Sequence, residues 1–341
     1  MDLSKDISIV PMGTGPALRE DEIDAWYAVR TACAAADEPG TRTDDRARTA
    51  TLLRVERAGA RALRWLALDA DGTAVGTARL RLFDVEGRRH VARLAVRVSP
   101  GNRRQGIGSA LLATAQAAAE ADGRTSLSAS TPTGTPGAAD AFLESHGYSP
   151  ALLLRTMVLT VADCDQEALR ATVRAASDGY RLARWQGVVP ADLAAAYSRA
   201  RNAFGDMPTR GFDNGAQFWD EERARALAGS AAERGDTLLT VAALYEDEQG
   251  LEAVAGFSEI VLPGGGRHAD QSETAVVREH RGRGLGLWVK AAMLQWLLGA
   301  HPEVVEVATS CVDSNRHMIA INEQLGFQHV GTERHFQLLL E

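Results

Sequence analysis

Apolar residues alternate with polar ones in short runs, then recur at helical spacing, and the same order of runs appears twice. In the first half, residues 7–10 read as a strand, and the stretches 19–35 and 44–58 carry helical periodicity. Runs 65–68 and 74–82 flank Asp71-Gly72, a hairpin turn signal. A strand at 91–98 is broken by Pro100-Gly101-Asn102, and a helix at 108–121 follows with Leu111, Leu112, Ala115 and Ala118 on one face. Residues 126–130, a helix through Phe142 and a run at 152–161 complete this frame.

The second half repeats it with a strand at 180–185, helices near 190–204 and 217–233, and a hairpin of 237–245 and 253–261 around Gly250. A run at 272–277, an amphipathic helix at 285–298, a strand at 304–309, a helix through Leu325 and a run at 329–340 follow. Residues 166–176 read as a linker helix. This order predicts an α/β (α+β) protein of two tandem domains, 1–162 and 179–341, joined by 163–178. In each, helices flank a mixed, mostly antiparallel sheet.

At 341 residues the chain has room for two cores. A net charge of −8 argues against a nucleic-acid partner. No apolar run approaches a membrane span, and the start of the chain has no apolar stretch of signal-peptide length. Three cysteines, Cys33, Cys164 and Cys311, fit neither a disulfide framework nor a metal-ligand spacing. A cytoplasmic protein without a metal, a monomer or homodimer acting on a small molecule, is the expectation.

The chemistry concentrates at one turn that occurs in both halves, Arg103-Arg104-Gln105-Gly106-Ile107-Gly108 and Arg281-Gly282-Arg283-Gly284-Leu285-Gly286. Arg103 and Arg281 stand 178 residues apart, and the later landmarks Gly147 and Gly326 stand 179 apart. Each turn follows a strand and opens a helix, where uncapped N–H groups and the helix dipole suit a pyrophosphate. Leu287 and Leu111 break the dinucleotide-binding spacing, and no Gly-Lys-Ser/Thr is present for an ATP loop.

The pattern Arg-x-x-Gly-x-Gly resembles the acyl-CoA pyrophosphate loop of the GNAT superfamily of N-acyltransferases. With the distal block from Asn315 through Asn322-Glu323-Gln324-Leu325-Gly326-Phe327, it is similar to tandem GNAT proteins common in actinobacteria. The resemblance implies acetyl-CoA, or another acyl-CoA, as cofactor and a primary amine of a small molecule as acceptor. It implies that the fourth strand splays from the fifth, with backbone groups near Val276 and Val277 lining the pantetheine slot. It also implies a cofactor contact at Asn315; the matching count in the first half falls on Pro136, which has no side-chain donor. The second domain is therefore the expected catalytic one, and the first a weak CoA binder or scaffold.

Glu273, Asp270 and Glu259 are the candidate bases, with His268 a fourth. Asp270 shares the alternation of Ser272 and Thr274, and Glu259 interrupts an apolar strand. Cys311 reads as a structural thiol, and His280 as a loop-shaping or phosphate-side residue. The phenol that the family often uses as general acid is replaced by Asn322 in the second half and Leu143 in the first. Asp206, Met207, Phe212, Asp213 and Trp219 are expected to border the acceptor. Two other readings stay open, a step like that of mycothiol synthase and a non-enzymatic acyl-CoA sensor, while NADH binding would revive a dinucleotide-binding protein.

Overall fold

The structure, a computed structural model, describes residues 7–37, 43–131, 137–175, 178–206, 211–264 and 266–340. Its first half contains β1 (Ser8–Pro11), α1 (Glu20–Asp37), α2 (Arg46–Arg54), β2 (Ala60–Leu68), β3 (Ala74–Phe83) and β4 (Val91–Val98). These are followed by α3 (Ile107–Ala121), β5 (Ser126–Thr131), α4 (Ala138–Ser145) and β6 (Ser149–Thr160). After α5 (Gln166–Arg174) come β7 (Arg181–Gln186), α6 (Ala194–Asn202), α7 (Glu221–Glu233), β8 (Thr237–Glu246) and β9 (Glu252–Leu262). Then β10 (His268–Val276), α8 (Leu285–Ala300), β11 (Glu306–Val312), α9 (Arg316–Gln324) and β12 (Gln328–Leu339) close the chain.

The chain forms two compact units whose borders are not those of the sequence halves. Unit 1 is Met1–Leu152, Arg210–Ala216 and Glu333–Glu341; unit 2 is Leu153–Thr209 and Gln217–Thr332. The expected borders at 162 and 179 are thus corrected by an exchange of strands. The end of β12 pairs antiparallel with β5, Arg334 opposite Thr131, and completes the unit 1 sheet in the order β1-β2-β3-β4-β5-β12. Strand β6 pairs with β11, Thr160 opposite Glu306, and completes the unit 2 sheet, β7-β8-β9-β10-β11-β6. Each repeat gives its last strand to the other unit.

Within unit 1 the sheet is antiparallel except where β4 meets β5, and unit 2 repeats this with β10 and β11. One face of the unit 1 sheet packs Ala78, Leu80, Leu82 and Leu94 against Ile107, Leu111, Leu112 and Ala115 of α3. On β3 these apolar residues alternate with Arg79 and Arg81, which point to the opposite face.

Helix α8 departs from the amphipathic expectation. Leu285, Trp288, Val289, Ala291, Met293, Leu294 and Leu297 all lie in the unit 2 core. Helix α5 covers its outer side, where the Trp288 indole N–H donates to the Val173 carbonyl at 3.0 Å. The segment 163–178 is therefore not a linker: α5 is a packed part of unit 2.

Candidate active site

Both Gly-rich turns close in the same way. Strand β10 stays paired with β11 only from His268 to Gln271, and the residues from Ser272 to Val276 run on without that neighbour. Strand β4 likewise leaves β5 after Leu94. Each unit thus has the open wedge between its fourth and fifth strands that the family resemblance led us to expect. Backbone groups on a strand alternate sides, and the Val277 N–H donates to Ala255 on β9 at 2.8 Å. The Val276 N–H therefore faces the wedge. Val277 does not, because its carbonyl is also taken, by His280 N–H at 2.9 Å.

The turn itself is held by its arginine. Arg281 Nε donates to the Val276 carbonyl at 3.0 Å, and Arg103 Nε donates to the Val98 carbonyl at 3.0 Å in unit 1. Arg103 also chelates Asp37 through both Nη atoms, 2.7 and 2.6 Å, so its charge is neutralised at the mouth. Gly282 and Gly284 are left-handed, with φ of 78° and 75°, and open space lies where a Cβ would stand. Arg104, the counterpart of Gly282, takes the same conformation at φ 65°, an uncommon one for a residue with a Cβ.

The N-cap residues of α8 and α3 are Gly284 and Gly106, which have no side chain to cap with. Leu285 is buried in the core, Gly286 packs against Ile321, and Gly108 packs against Phe142. The turns consequently offer backbone N–H groups rather than side chains, the donor set a pyrophosphate takes. Arg104 and Arg283 are exposed beside them. Asn315 caps α9 by accepting from Met318 N–H at 3.2 Å, so its oxygen is occupied by the helix. Pro136 and Met207 lie outside the described residues, as does the side chain of Asp206.

Glu259 and Glu273 meet in unit 2 beside the wedge. Arg201, buried on α6, donates through Nη1 to Glu259 Oε1 and through Nη2 to Glu273 Oε2, each at 2.6 Å. The Tyr197 hydroxyl donates to Glu259 and accepts from Arg201 at 2.8 Å. The Arg201 guanidinium carbon lies over the Trp219 ring, 3.8 Å from its centroid, and Asn202 fixes Trp219 through both its backbone N–H and carbonyl. Burial disfavours the Arg201 charge, but Glu259, Tyr197 and Glu273 outweigh it and hold the guanidinium firmly protonated.

The two carboxylates differ in kind. The Glu259 side chain is 2% exposed, and its Oε1 accepts from both Tyr197 and Arg201. Glu273 keeps 24% exposure, and its carboxyl is held above its usual pKa by burial and by Glu259, with Arg201 opposing. A bulge makes this meeting possible. Gln271 stands opposite Ile260 and Thr274 opposite Ser258, so two residues of β10 face the single Glu259. The bulge overturns the expected alternation: Asp270 and Glu273 share the side of Glu259, while Thr274 turns away to bond Ser258 at 2.7 Å. Asp270 is exposed, and His268 sits at the start of the strand.

Arg201 and Tyr197 were not foreseen. Their spacing of one helical turn in an alanine-rich helix was the available signal. Phe212 and Asp213 belong elsewhere. They lie in unit 1, Asp213 against His90 at 3.1 Å and Phe212 edge-on to His335. His280 shapes its loop, bonded to the Tyr180 hydroxyl at 2.8 Å and packed on Tyr245.

Cys311 is buried with Asn322, whose Nδ2 lies 3.9 Å from its sulfur and 3.7 Å from that of Met157. Lys290, fully buried on α8, sits over the Phe327 ring, and burial pushes its pKa down to about 7. Among the described residues no group of His, Cys, Asp or Glu is arranged to hold a metal ion, and no helix is long and apolar enough to cross a membrane.

Residues 61–150 match the acetyltransferase (GNAT) domain family. A tandem GNAT protein from the clavulanic acid biosynthesis pathway superposes with a TM-score of 0.77 at 28% identity, over 98% of both chains. The chain has the fold of a tandem GNAT acetyltransferase. A GCN5-related N-acetyltransferase from Sphaerobacter thermophilus shares the fold, with a TM-score of 0.67 at 17% identity over 97% of this chain and 95% of that one. So does a glucosamine N-acetyltransferase region of a fungal multi-domain β-N-acetylglucosaminidase, with a TM-score of 0.69 at 15% identity, over 99% of this chain and 38% of the other. No curated protein matches the chain. The tandem GNAT fold brings with it acyl transfer from an acyl-CoA, and the family match falls on the first repeat rather than on the half expected to do the chemistry.

Proposed function

We propose that unit 2 transfers an acetyl group from acetyl-CoA to a primary amine of a small molecule, by direct attack while both are bound. The observation that carries this reading is Glu273, a half-buried carboxyl with raised pKa on the strand segment that has left β11. Acetyl-CoA supplies the thioester, its pyrophosphate held by backbone N–H groups from Gly282 to Gly286. Asn315 Nδ2 and the exposed Arg283 stand along the same path.

An amine arrives as an ammonium ion and must lose a proton before it attacks. Glu273 accepts that proton, directly or through one water, and its raised pKa brings it nearer the ammonium than an ordinary carboxylate would be. Glu259 does not reach the reacting atoms in this scheme. It holds Arg201, and Arg201 holds Glu273. The N–H groups of Thr274 and Val276, turned toward the wedge, polarise the thioester carbonyl. As the amide C–N bond forms and the C–S bond breaks, the nitrogen gives up its second proton to solvent and the thiolate takes a proton from solvent, since neither Asn322 nor Leu143 can supply one as a phenol would.

The test is CoA release across a panel of primary amines, with wild type and Glu273→Gln. The substitution should lower kcat by about 10²–10⁴-fold with little change in the KM for acetyl-CoA. The acid limb of the wild-type kcat/KM profile should lie above the usual carboxylate range, because the Glu273 carboxyl stays protonated to higher pH. Unchanged turnover in the variant would remove Glu273 from the mechanism. Absence of CoA release with every amine, despite tight acetyl-CoA binding, would favour the sensor reading.

A further inference from the structure

Unit 1 collects arginines on the sheet face turned away from α3. Arg64 on β2 stands directly opposite Arg79 on β3, and Arg81 on β3 directly opposite Arg93 on β4. Neighbouring strands lie only about 4.8 Å apart, and like charges placed opposite each other destabilise a sheet. Two such pairs side by side are an expensive arrangement for the protein alone. Arg64 is 3% exposed, and the other three are half-buried.

Among the described residues there are too few acceptors for them. Glu56 accepts from Arg64 Nη2. Glu333 faces Arg93 but is shared with His335. Nε and Nη1 of Arg64, Nε of Arg81 and Nε of Arg93 are buried and reach no acceptor among the described residues. The Arg79 guanidinium feels the crowding: burial, then Arg81, Arg97 and Arg64, bring its pKa down to about 9. Burial, Arg57 and the opposing Arg93 bring Arg81 to about 10. Buried guanidinium N–H groups without acceptors cost free energy that a ligand's oxygens can recover.

We propose that this face of unit 1 binds a small oxyanion bearing two or more charges, through Arg79, Arg81 and Arg93 with Arg64 behind them. Planar guanidinium forks take carboxylate and phosphate oxygens in pairs, and four of them in two ranks suit a polycarboxylate or a phosphorylated molecule. The site is not the cofactor turn. Arg93 lies five residues before Val98, roughly 16 Å along the strand at about 3.3 Å per residue. It also stands where β4 is still paired with β5, outside the wedge, and on the face opposite α3.

The experiment uses the full chain with saturating acetyl-CoA, so that the Gly-rich turns compete for nothing. Citrate and inorganic phosphate are titrated by calorimetry and thermal melting, each against sodium chloride at matched ionic strength. Citrate, phosphate or both should raise the Tm beyond the salt control. A response to citrate alone marks a carboxylate ligand, and one to phosphate alone a phosphorylated one. Arg79→Met and Arg81→Gln should each weaken binding about tenfold or more, the loss of one charged hydrogen-bonding group.

In anion-free buffer Arg79→Met should melt at or above the wild-type temperature, because it relieves a like-charge contact. The proposal is overturned by an anion response no larger than that of salt, or by folded variants that bind citrate and phosphate as wild type does. If Arg79→Met does not fold, Arg81→Gln carries the binding arm of the test.

Discussion

The two units place the same backbone frame under opposite charge. In each, a strand glycine lies against the residue just before the Gly-rich turn: Gly76 opposite Val98, and Gly256 opposite Val276. A Cβ at Gly256 would stand 2.9 Å from the Ala275 carbonyl, and one at Gly76 2.9 Å from a Leu111 methyl and 3.1 Å from the Arg97 carbonyl, so the backbone is closely packed at both. Three residues further on, unit 1 carries Arg79 and unit 2 carries Glu259. Three residues before the paired valine, unit 1 carries Ala95 and unit 2 carries Glu273. Unit 2 builds a neutralised triad around Arg201, whereas unit 1 stacks arginines with too few carboxylates.

The lesson is that the wedge and the turn depend on strand geometry, while what the sheet face recognises depends on two or three side chains. The repeat has kept the first and changed the second.

The sharpest way to break this comparison is to remove the central charge of unit 2. Arg201→Met leaves Glu259 buried without its cation, and the expected cost is about 3–5 kcal/mol of stability. Thermal unfolding and chemical denaturation measure it, and the sign should oppose that of Arg79→Met in unit 1. If the protein stays folded, loss of the Arg201 charge should push the acid limb of any residual activity to higher pH. A melting temperature equal to wild type would show that the triad contributes nothing to the fold.

The turns can be compared directly by calorimetry with acetyl-CoA. Gly284→Glu places a carboxylate where phosphate should lie and should weaken binding by about 100-fold, or abolish the tighter of two events. Gly106→Glu should remove the weaker event, or none. A larger loss from Gly106→Glu would move the working cofactor site to unit 1, the half that the family match covers.

The smallest effect is expected inside the unit 2 core. Lys290 has its pKa lowered to about 7, so between that value and its unfolded pKa the native state binds fewer protons than the unfolded one. Stability should therefore rise with pH from near 7 toward 10 in the wild type. Lys290→Met should be more stable at pH 7, by on the order of 2 kcal/mol, and should lose that part of the pH dependence. Parallel curves for the two proteins would mean that Lys290 stays charged in the fold.

The sequence made some elements readable and left others ambiguous for identifiable reasons. Alternation located β3, β4, β9 and β10, and the glycine turns located α3 and α8. The helical character of α8 was legible, but its near-complete burial was not, because the covering helix α5 lies more than a hundred residues earlier. Glu259 stood out as an acid in an apolar strand. Asp270 was misjudged because a bulge, invisible to simple alternation, resets the faces of β10 between Gln271 and Thr274.

By itself the chain determined the repeated order of elements, the two uncapped helix starts and the glycines that let the backbone approach an anion. Those follow from local sterics and hydrogen bonding, which neighbouring residues are sufficient to specify. Only tertiary structure decided that β6 and β12 exchange units, since both are apolar alternating strands and either could pair with either fifth strand. It also decided that Phe212 and Asp213 serve unit 1, that Arg201 joins Glu259 to Glu273, and that Arg64 and Arg81 face Arg79 and Arg93. Each of those outcomes depends on cross-strand register or long-range packing, where the energy lies in contacts between residues far apart in the chain.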